Sequence, residues 1–173
     1  MSDTAYTAHH AAQEPFLPLM RQLVRTYQAL EHVSSTHIRQ MGLTSAQFDV
    51  IATLGNTSGM TMNVLADKTL VTKGTLTGII DRLEQKGLVQ RVVPPEDRRC
   101  FTVHLTTSGE DLFYTTFPAH IAYLKPFFTP LSPDEALSLL GSLKHLQTIL
   151  EKGDLSGSSC ALGSTVPDDG DHA

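Results

Sequence analysis

The chain changes its hydrophobic period twice, and that change limits what it can fold into. Up to Gly87 the apolar residues recur at three- and four-residue intervals. Two β-rich runs follow, Leu88-Val89-Gln90-Arg91-Val92-Val93 and Cys100-Phe101-Thr102-Val103-His104-Leu105, and helical spacing returns after Thr107. A pattern of period 3.6 suits an amphipathic helix and not a strand. The two runs are separated by the polar, proline-containing Pro94-Pro95-Glu96-Asp97-Arg98-Arg99, which suits the loop of a hairpin. The spacing therefore predicts a mainly α protein with a single small β-hairpin.

Cap signals divide the helical stretches. Pro15 fits a first helical turn, and Phe16, Met20, Leu23, Tyr27 and Leu30 continue the helical period to about Met41-Gly42. Thr44 with Gln47 forms a capping box for a second helix through about Leu54. Gly55 to Gly59 reads as a loop, a short helix covers Thr61–Lys68, and another runs from about Thr72 to Lys86, where Gly87 ends it. Thr107 with Glu110 reads as a further capping box, and the helix it opens should be bent or interrupted at Pro118 or Pro126. Ser132-Pro133-Asp134-Glu135 combines an N-cap serine, a proline at the first helical position and a glutamate three residues past the cap. The helix it starts carries Leu139, Leu140, Leu143, Leu146 and Leu150 and should stop at Gly153. One folded unit is expected over residues 15–152. A disordered arm should precede it over 1–14, and a disordered acidic tail should follow it over 153–173.

Composition excludes several classes. Of the 173 residues, 40% are hydrophobic and 18% charged, as in an ordinary globular protein. No apolar run approaches the roughly 18–20 residues that span a bilayer. The first residues lack the basic start and apolar stretch of a signal peptide, and two cysteines, Cys100 and Cys160, make no disulfide framework, so a cytoplasmic location is expected. The net charge is −5, yet Lys68 to Arg99 holds seven basic residues against four acidic ones, a local balance of +3. From Glu151 onward five acids face one lysine, a balance of −4. Much of the acidity thus belongs to the tail.

Leu65, Ala66, Val71, Leu76 and Ile79 have the spacing that locks two short helices in a helix-turn-helix, with Ala66 as the small residue at their contact. On the second of these helices Leu76, Ile79, Ile80 and Leu83 share one face, which must be core. The opposite face holds Gly74, Thr77, Gly78, Asp81 and Gln85, flanked by Lys73, Thr75 and Arg82. Each glycine inside a helix costs about 0.8–1 kcal/mol relative to alanine. Core crowding cannot explain two of them on an outward stripe, whereas close approach of a DNA backbone can. Thr72, Thr75 and Thr77 suit phosphates or base edges near a helix start. Asp81 either lies beyond the groove or accepts from a cytosine amino group. Arg98-Arg99 at the hairpin tip suits a narrow minor groove, with Asp97 orienting one guanidinium. The alternative at each feature is a solvated helix face and an ordinary turn; their combination points to double-stranded DNA.

Several motifs now stand in order: Leu43-Thr44-Ser45-Ala46-Gln47-Phe48, Leu65-Ala66, Gly74-Thr75-Leu76-Thr77, Asp81-Arg82-Leu83-Glu84, Lys86-Gly87-Leu88-Val89, Asp97-Arg98-Arg99 and Leu105-Thr106 with Gly109. Together they resemble the MarR family of multiple-antibiotic-resistance regulators over about residues 15–150. The resemblance implies a winged helix-turn-helix, with Thr72–Gln85 as recognition helix and Asp97–Arg99 in the wing. The DNA-binding module would cover about 44–105, and an obligate homodimer would be built from helices at about 15–41 and 107–152. It implies that Arg99 enters the minor groove and that Arg98 contacts phosphate or pairs with Asp97. It further implies repression of transcription and a small phenolic or otherwise apolar effector held between the dimer helices and the winged module.

Gly74-Thr75-Leu76-Thr77 is similar to the organic-hydroperoxide-sensing branch, whose reactive cysteine lies in the first helix; residues 14–41 here contain none. Cys100 is either another redox site or a plain small hydrophobe opening a strand. His32 and His37 are five apart, His104, His120 and His145 are scattered, and none has a partner at a strong metal-ligand spacing, so no metal or other cofactor is expected. No phosphate loop or nucleophile motif suggests an enzyme. A redox- or metal-responsive regulator of the same fold, or a winged helix that grips only proteins, is the alternative.

Overall fold

The computed structural model describes residues 7–93 and 101–157. Its elements in chain order are α1 (Ala8–Ala12), α2 (Leu17–Gln40), α3 (Ser45–Leu54), β1 (Met60–Thr61), α4 (Met62–Lys68), α5 (Lys73–Gln85), β2 (Val89–Val92), β3 (Thr102–Leu105), α6 (Thr107–Phe128) and α7 (Pro133–Gly157). Two compact units divide the chain, Met1–Pro126 and Phe127–Ala173. The mainly α fold with a small hairpin is as the periodicity predicts.

Local chemistry accounts for most boundaries. At the start of α3 the Thr44 hydroxyl accepts from the Gln47 N–H at 3.2 Å, and the Gln47 side chain accepts from the Thr44 N–H at 3.1 Å. The box at α7 is complete too: the Glu135 N–H donates to the Ser132 hydroxyl, and the Glu135 carboxylate accepts from the Ser132 N–H at 2.8 Å. Gly42 and Gly87 both take positive φ, +77° and +68°. Behind Gly87 the Leu88 N–H donates to Leu83 and the Gly87 N–H to Glu84, both at 2.9 Å. That pair of bonds is the Schellman ending that glycine permits.

Four expectations need correction. The arm expected to be disordered carries α1, where the Thr7 hydroxyl accepts from the His10 N–H at 3.4 Å and alanines favour the helix. The cap of α6 is Thr106, not Thr107: its hydroxyl accepts from the Gly109 N–H at 3.1 Å and donates to the Gly87 carbonyl at 2.6 Å. The interruption allowed for at Pro118 or Pro126 does not occur, since α6 runs through both residues. Each proline removes one ladder bond, while Phe113, Thr116 and His120 pack the buried face of the same helix. Helix α7 continues past Gly153 to Gly157, a residue type that weakens a helix without forbidding it.

The sheet is antiparallel in the order β1-β3-β2, with Met60 opposite Val103 and Arg91 also opposite Val103 on the other side. Strand β1 was not foreseen: two residues are too few to show alternation, and Thr61 already caps α4. Around the sheet, Ile38 of α2, Val50, Ile51 and Leu54 of α3, Leu65 of α4, the α5 leucines and isoleucines, Val89, Val103 and Phe113 form one core. Gly109 lets α6 approach the hairpin; a Cβ there would stand 2.0 Å from the Leu88 carbonyl oxygen.

Candidate nucleic-acid interface

The core fixes how α5 is presented. Leu76, Ile79, Ile80 and Leu83 are all buried, as their shared face predicts, and Ala66 and Val71 pack beside them. The turn from α4 into α5 is tied down from two sides. The buried Thr69 hydroxyl donates to the Leu65 carbonyl at 2.8 Å, and the Leu70 N–H donates to the Asp49 carboxylate at 2.7 Å. Asp49 sits on α3, half in the protein, so burial pushes its carboxyl above the ordinary carboxylate range while the Leu70 N–H pulls the other way. Sequence reading missed this residue, because a contact across 21 positions leaves no local signal. Leu70 itself points outward, 91% exposed.

Opposite the buried stripe, Thr72, Lys73, Gly74, Thr75, Thr77 and Arg82 are exposed. A Cβ added at Gly74 or Gly78 would meet no atom within 4 Å, so nothing inside the protein requires either glycine. The Thr72 hydroxyl bonds to that of Thr75 at 2.9 Å and caps no backbone N–H of α5. The helix start therefore keeps free donors and the positive end of its dipole on the surface. Lys73 lies 3.3 Å from Asp67 of α4, both exposed, so part of its charge is already answered.

Arg91 of β2 resolves the place of Asp81. Its guanidinium binds the carboxylates of Asp81 and Glu84 on α5, and its N–H donates to Glu84 at 3.2 Å. The same guanidinium lies 5.4 Å from the centre of the Phe101 ring. The two carboxylates hold the Arg91 pKa above its ordinary value, the Asp81 hydrogen bond being the largest influence. Asp81 thus faces an intramolecular cation, and the hairpin is anchored to the last turns of α5. Spacing alone gave no reason to single out Arg91.

A solvent-facing helix with empty glycine positions, following a tight turn and braced by a hairpin, is the layout by which proteins insert a helix into a DNA groove. Known proteins share the fold. The MarR family model matches residues 43–101. The HTH-type transcriptional regulator MhqR of Bacillus subtilis is 31% identical over 133 residues, covering 77% of this chain and 92% of the relative. The chain belongs to the MarR family. Among solved MarR-type structures, a mutant MarR of Escherichia coli complexed with operator DNA is 27% identical, covers 78% of this chain and 99% of that one, and superposes with a TM-score of 0.69. A structure describing regulation of DNA binding of Bordetella bronchiseptica BpsR by 6-hydroxynicotinic acid is 26% identical, with a TM-score of 0.67 and coverage of 75% and 98%. The chain is a MarR-type transcriptional regulator of winged-helix fold.

In this MarR-type chain Asp97, Arg98, Arg99 and Cys100 lie outside the described residues, although the family match spans them. Among the described residues no group of three or more histidine, cysteine, aspartate or glutamate side chains could hold a metal ion. No described helix is long and apolar enough to cross a membrane. Two histidines far apart in the sequence do meet: His37 of α2 and His120 of α6 stand with Nδ1 atoms 3.1 Å apart.

Proposed function

We propose that the protein acts in the cytoplasm as a homodimeric, ligand-responsive repressor on a pseudo-palindromic operator. Each copy lays α5 in a major groove, and two copies reach successive grooves about 34–36 Å apart. Thr72, Lys73, Thr75, Thr77 and Arg82 contact phosphates and base edges, while Gly74 and Gly78 admit the DNA backbone. Arg98 and Arg99 extend the contact into the flanking minor groove, with Asp97 shaping the wing. The outward face of α5 carries this reading, because its two glycines lack any partner inside the protein. The operator-bound MarR relative supports the DNA contact, and BpsR, whose DNA binding responds to 6-hydroxynicotinic acid, supports a small aromatic effector. The effector would favour a separation of the two reading heads that no longer matches the operator.

A mobility-shift titration against the DNA upstream of the protein's own gene, repeated across salt concentrations, tests the reading. Each phosphate contact steepens the fall of log K with log salt by about 0.9. Salt-independent or absent duplex binding would leave a winged helix that grips only proteins.

A further inference from the structure

Histidine 120 is 3% exposed, yet both of its ring nitrogens have partners. Its Nε2 lies 3.1 Å from the Ser34 hydroxyl, and its Nδ1 lies 3.1 Å from Nδ1 of His37. The two imidazole centroids are 5.3 Å apart and their planes differ by 20°, so the rings lie edge to edge with the two nitrogens between them. A neutral imidazole offers one donor and one acceptor. One proton between the facing nitrogens makes a good hydrogen bond, and two protons set N–H against N–H.

The chain Ser34–His120–His37 crosses from α2 to α6 twice. Among the described residues, those in ring or hydrogen-bond contact with His120 include Ser34 and His37 of α2, Phe48 of α3, whose ring meets it edge-on at 4.8 Å, and Tyr123 of α6, 6.4 Å away. None of these four groups is a carboxylate. Tyr123 stacks on His37 at 4.2 Å with planes 8° apart, a face that tolerates an imidazolium. His37 is only half-buried, whereas a proton added to His120 would put an unneutralised charge on a buried ring and break the bond between the helices.

We propose that Ser34, His120 and His37 form a proton-operated latch between α2 and α6, closed near neutral pH and opened in acid, with loss of DNA binding as its output. The output rests on the function proposed above; the latch itself does not. Burial, then the charge of His37, holds His120 below its ordinary value of 6.5. The folded state thus binds fewer protons there than the unfolded chain, so the stabilisation is complete above that value and is lost as pH falls below it.

The full chain would be compared with His37→Gln, His120→Gln and Ser34→Ala at about pH 7.5 and about pH 5.5, either side of the ordinary histidine value of roughly 6.5. Unfolding temperature and the His120 ring signals in NMR report the latch, and titration of the duplex upstream of the protein's own gene reports the output. Wild type should lose clearly more thermal stability on acidification than His37→Gln, and His120 should titrate below the ordinary histidine value. Duplex affinity of the wild type should fall about tenfold or more per pH unit below the folded-state value, and less in His37→Gln. That direction is distinctive, because protonating surface histidines alone would strengthen binding to DNA. Equal thermal losses in wild type and His37→Gln, or a His120 midpoint at or above the ordinary histidine value, overturn the latch even if His120→Gln fails to fold. A normal latch with pH-independent duplex affinity overturns its coupling to DNA. No duplex binding at either pH overturns the proposed function and the output together, while the thermal and NMR arms still decide the latch.

Discussion

Arg91 shows how one side chain can set the geometry of a reading head. It joins a strand to the outward helix through two carboxylates and rests against Phe101, with its side chain only 24% exposed. Exposed ion pairs contribute about 0–1 kcal/mol each, so the main role of this cluster is orientation. Arg91→Met should lower stability by about 1 kcal/mol, discounted for solvent screening of the half-exposed carboxylates. It should also release Asp81 and Glu84 toward DNA phosphates and weaken duplex binding by more than its stability loss. Denaturant titration beside a shift assay measures both; equal losses in the two would reduce Arg91 to a structural prop. Asp49 makes a second, opposite case. Its carboxyl is raised by burial, so the folded protein holds that proton more firmly than the unfolded chain. The stabilisation is full below the ordinary carboxylate range and declines as pH rises through the raised value. Asp49→Asn keeps an acceptor for the Leu70 N–H without the buried charge and should match or exceed wild-type stability at neutral pH. Asp49→Ala should lose about 1–3 kcal/mol, because the acceptor is gone. Thermal unfolding at two pH values separates the three proteins.

Helix α5 carries a conflict between its own stability and its task. Gly74→Ala and Gly78→Ala fill open space and should each stabilise the isolated protein by about 0.5–1 kcal/mol. Under the proposed function the same methyl groups would stand where a DNA backbone approaches, so duplex affinity should fall as stability rises. Gly109→Ala is the control, since its Cβ would collide with the Leu88 carbonyl and destabilise the fold at any pH. A variant at Gly74 that gains stability and keeps full affinity would remove the glycine notch from the interface. Much of this helix was legible in the sequence because its information is local: the buried stripe Leu76, Ile79, Ile80 and Leu83, the terminating Gly87 and the unexplained glycines all fall within a few turns. The same holds for the capping boxes of α3 and α7. What sequence could not show are contacts between distant positions, such as Arg91 on Asp81, Leu70 on Asp49, and His37 on His120 across 83 residues. Strand β1 escaped for a different reason, since two residues pair only once β3 is in place.

In each of the two units, one described helix leaves a row of apolar side chains on the surface. On α2 and the residue before it, Phe16, Leu19, Met20, Leu23, Val24, Tyr27 and Leu30 are exposed. In the second unit Leu137, Leu139, Leu140, Leu143, Ile149 and Leu150 of α7 are exposed as well. Lone exposed leucines need no explanation, but helix faces of this length do, because water-soluble monomers seldom leave such contiguous apolar surface uncovered. A second copy of the chain is the cover the proposed operator geometry demands, since two half-sites need two reading heads. The periodic residues that marked the first helix in the sequence are thus the exposed ones, and the core of the winged module draws on the other end of that helix, at Ser35 and Ile38. This division makes a clean test. Leu23→Glu places a charge on the apolar face without touching the core around Ile80 and Leu83. The variant should stay folded, with the winged module's unfolding transition retained, and its mass in sedimentation equilibrium should fall to that of one chain, 18.9 kDa. Losing the second reading head removes the gain from joining two contacts, about 10²–10⁴-fold in apparent affinity, while a short duplex carrying one half-site should bind wild type and variant with closer affinities. A variant of single-chain mass that still binds the full site as tightly as wild type would show that one copy reads the operator alone.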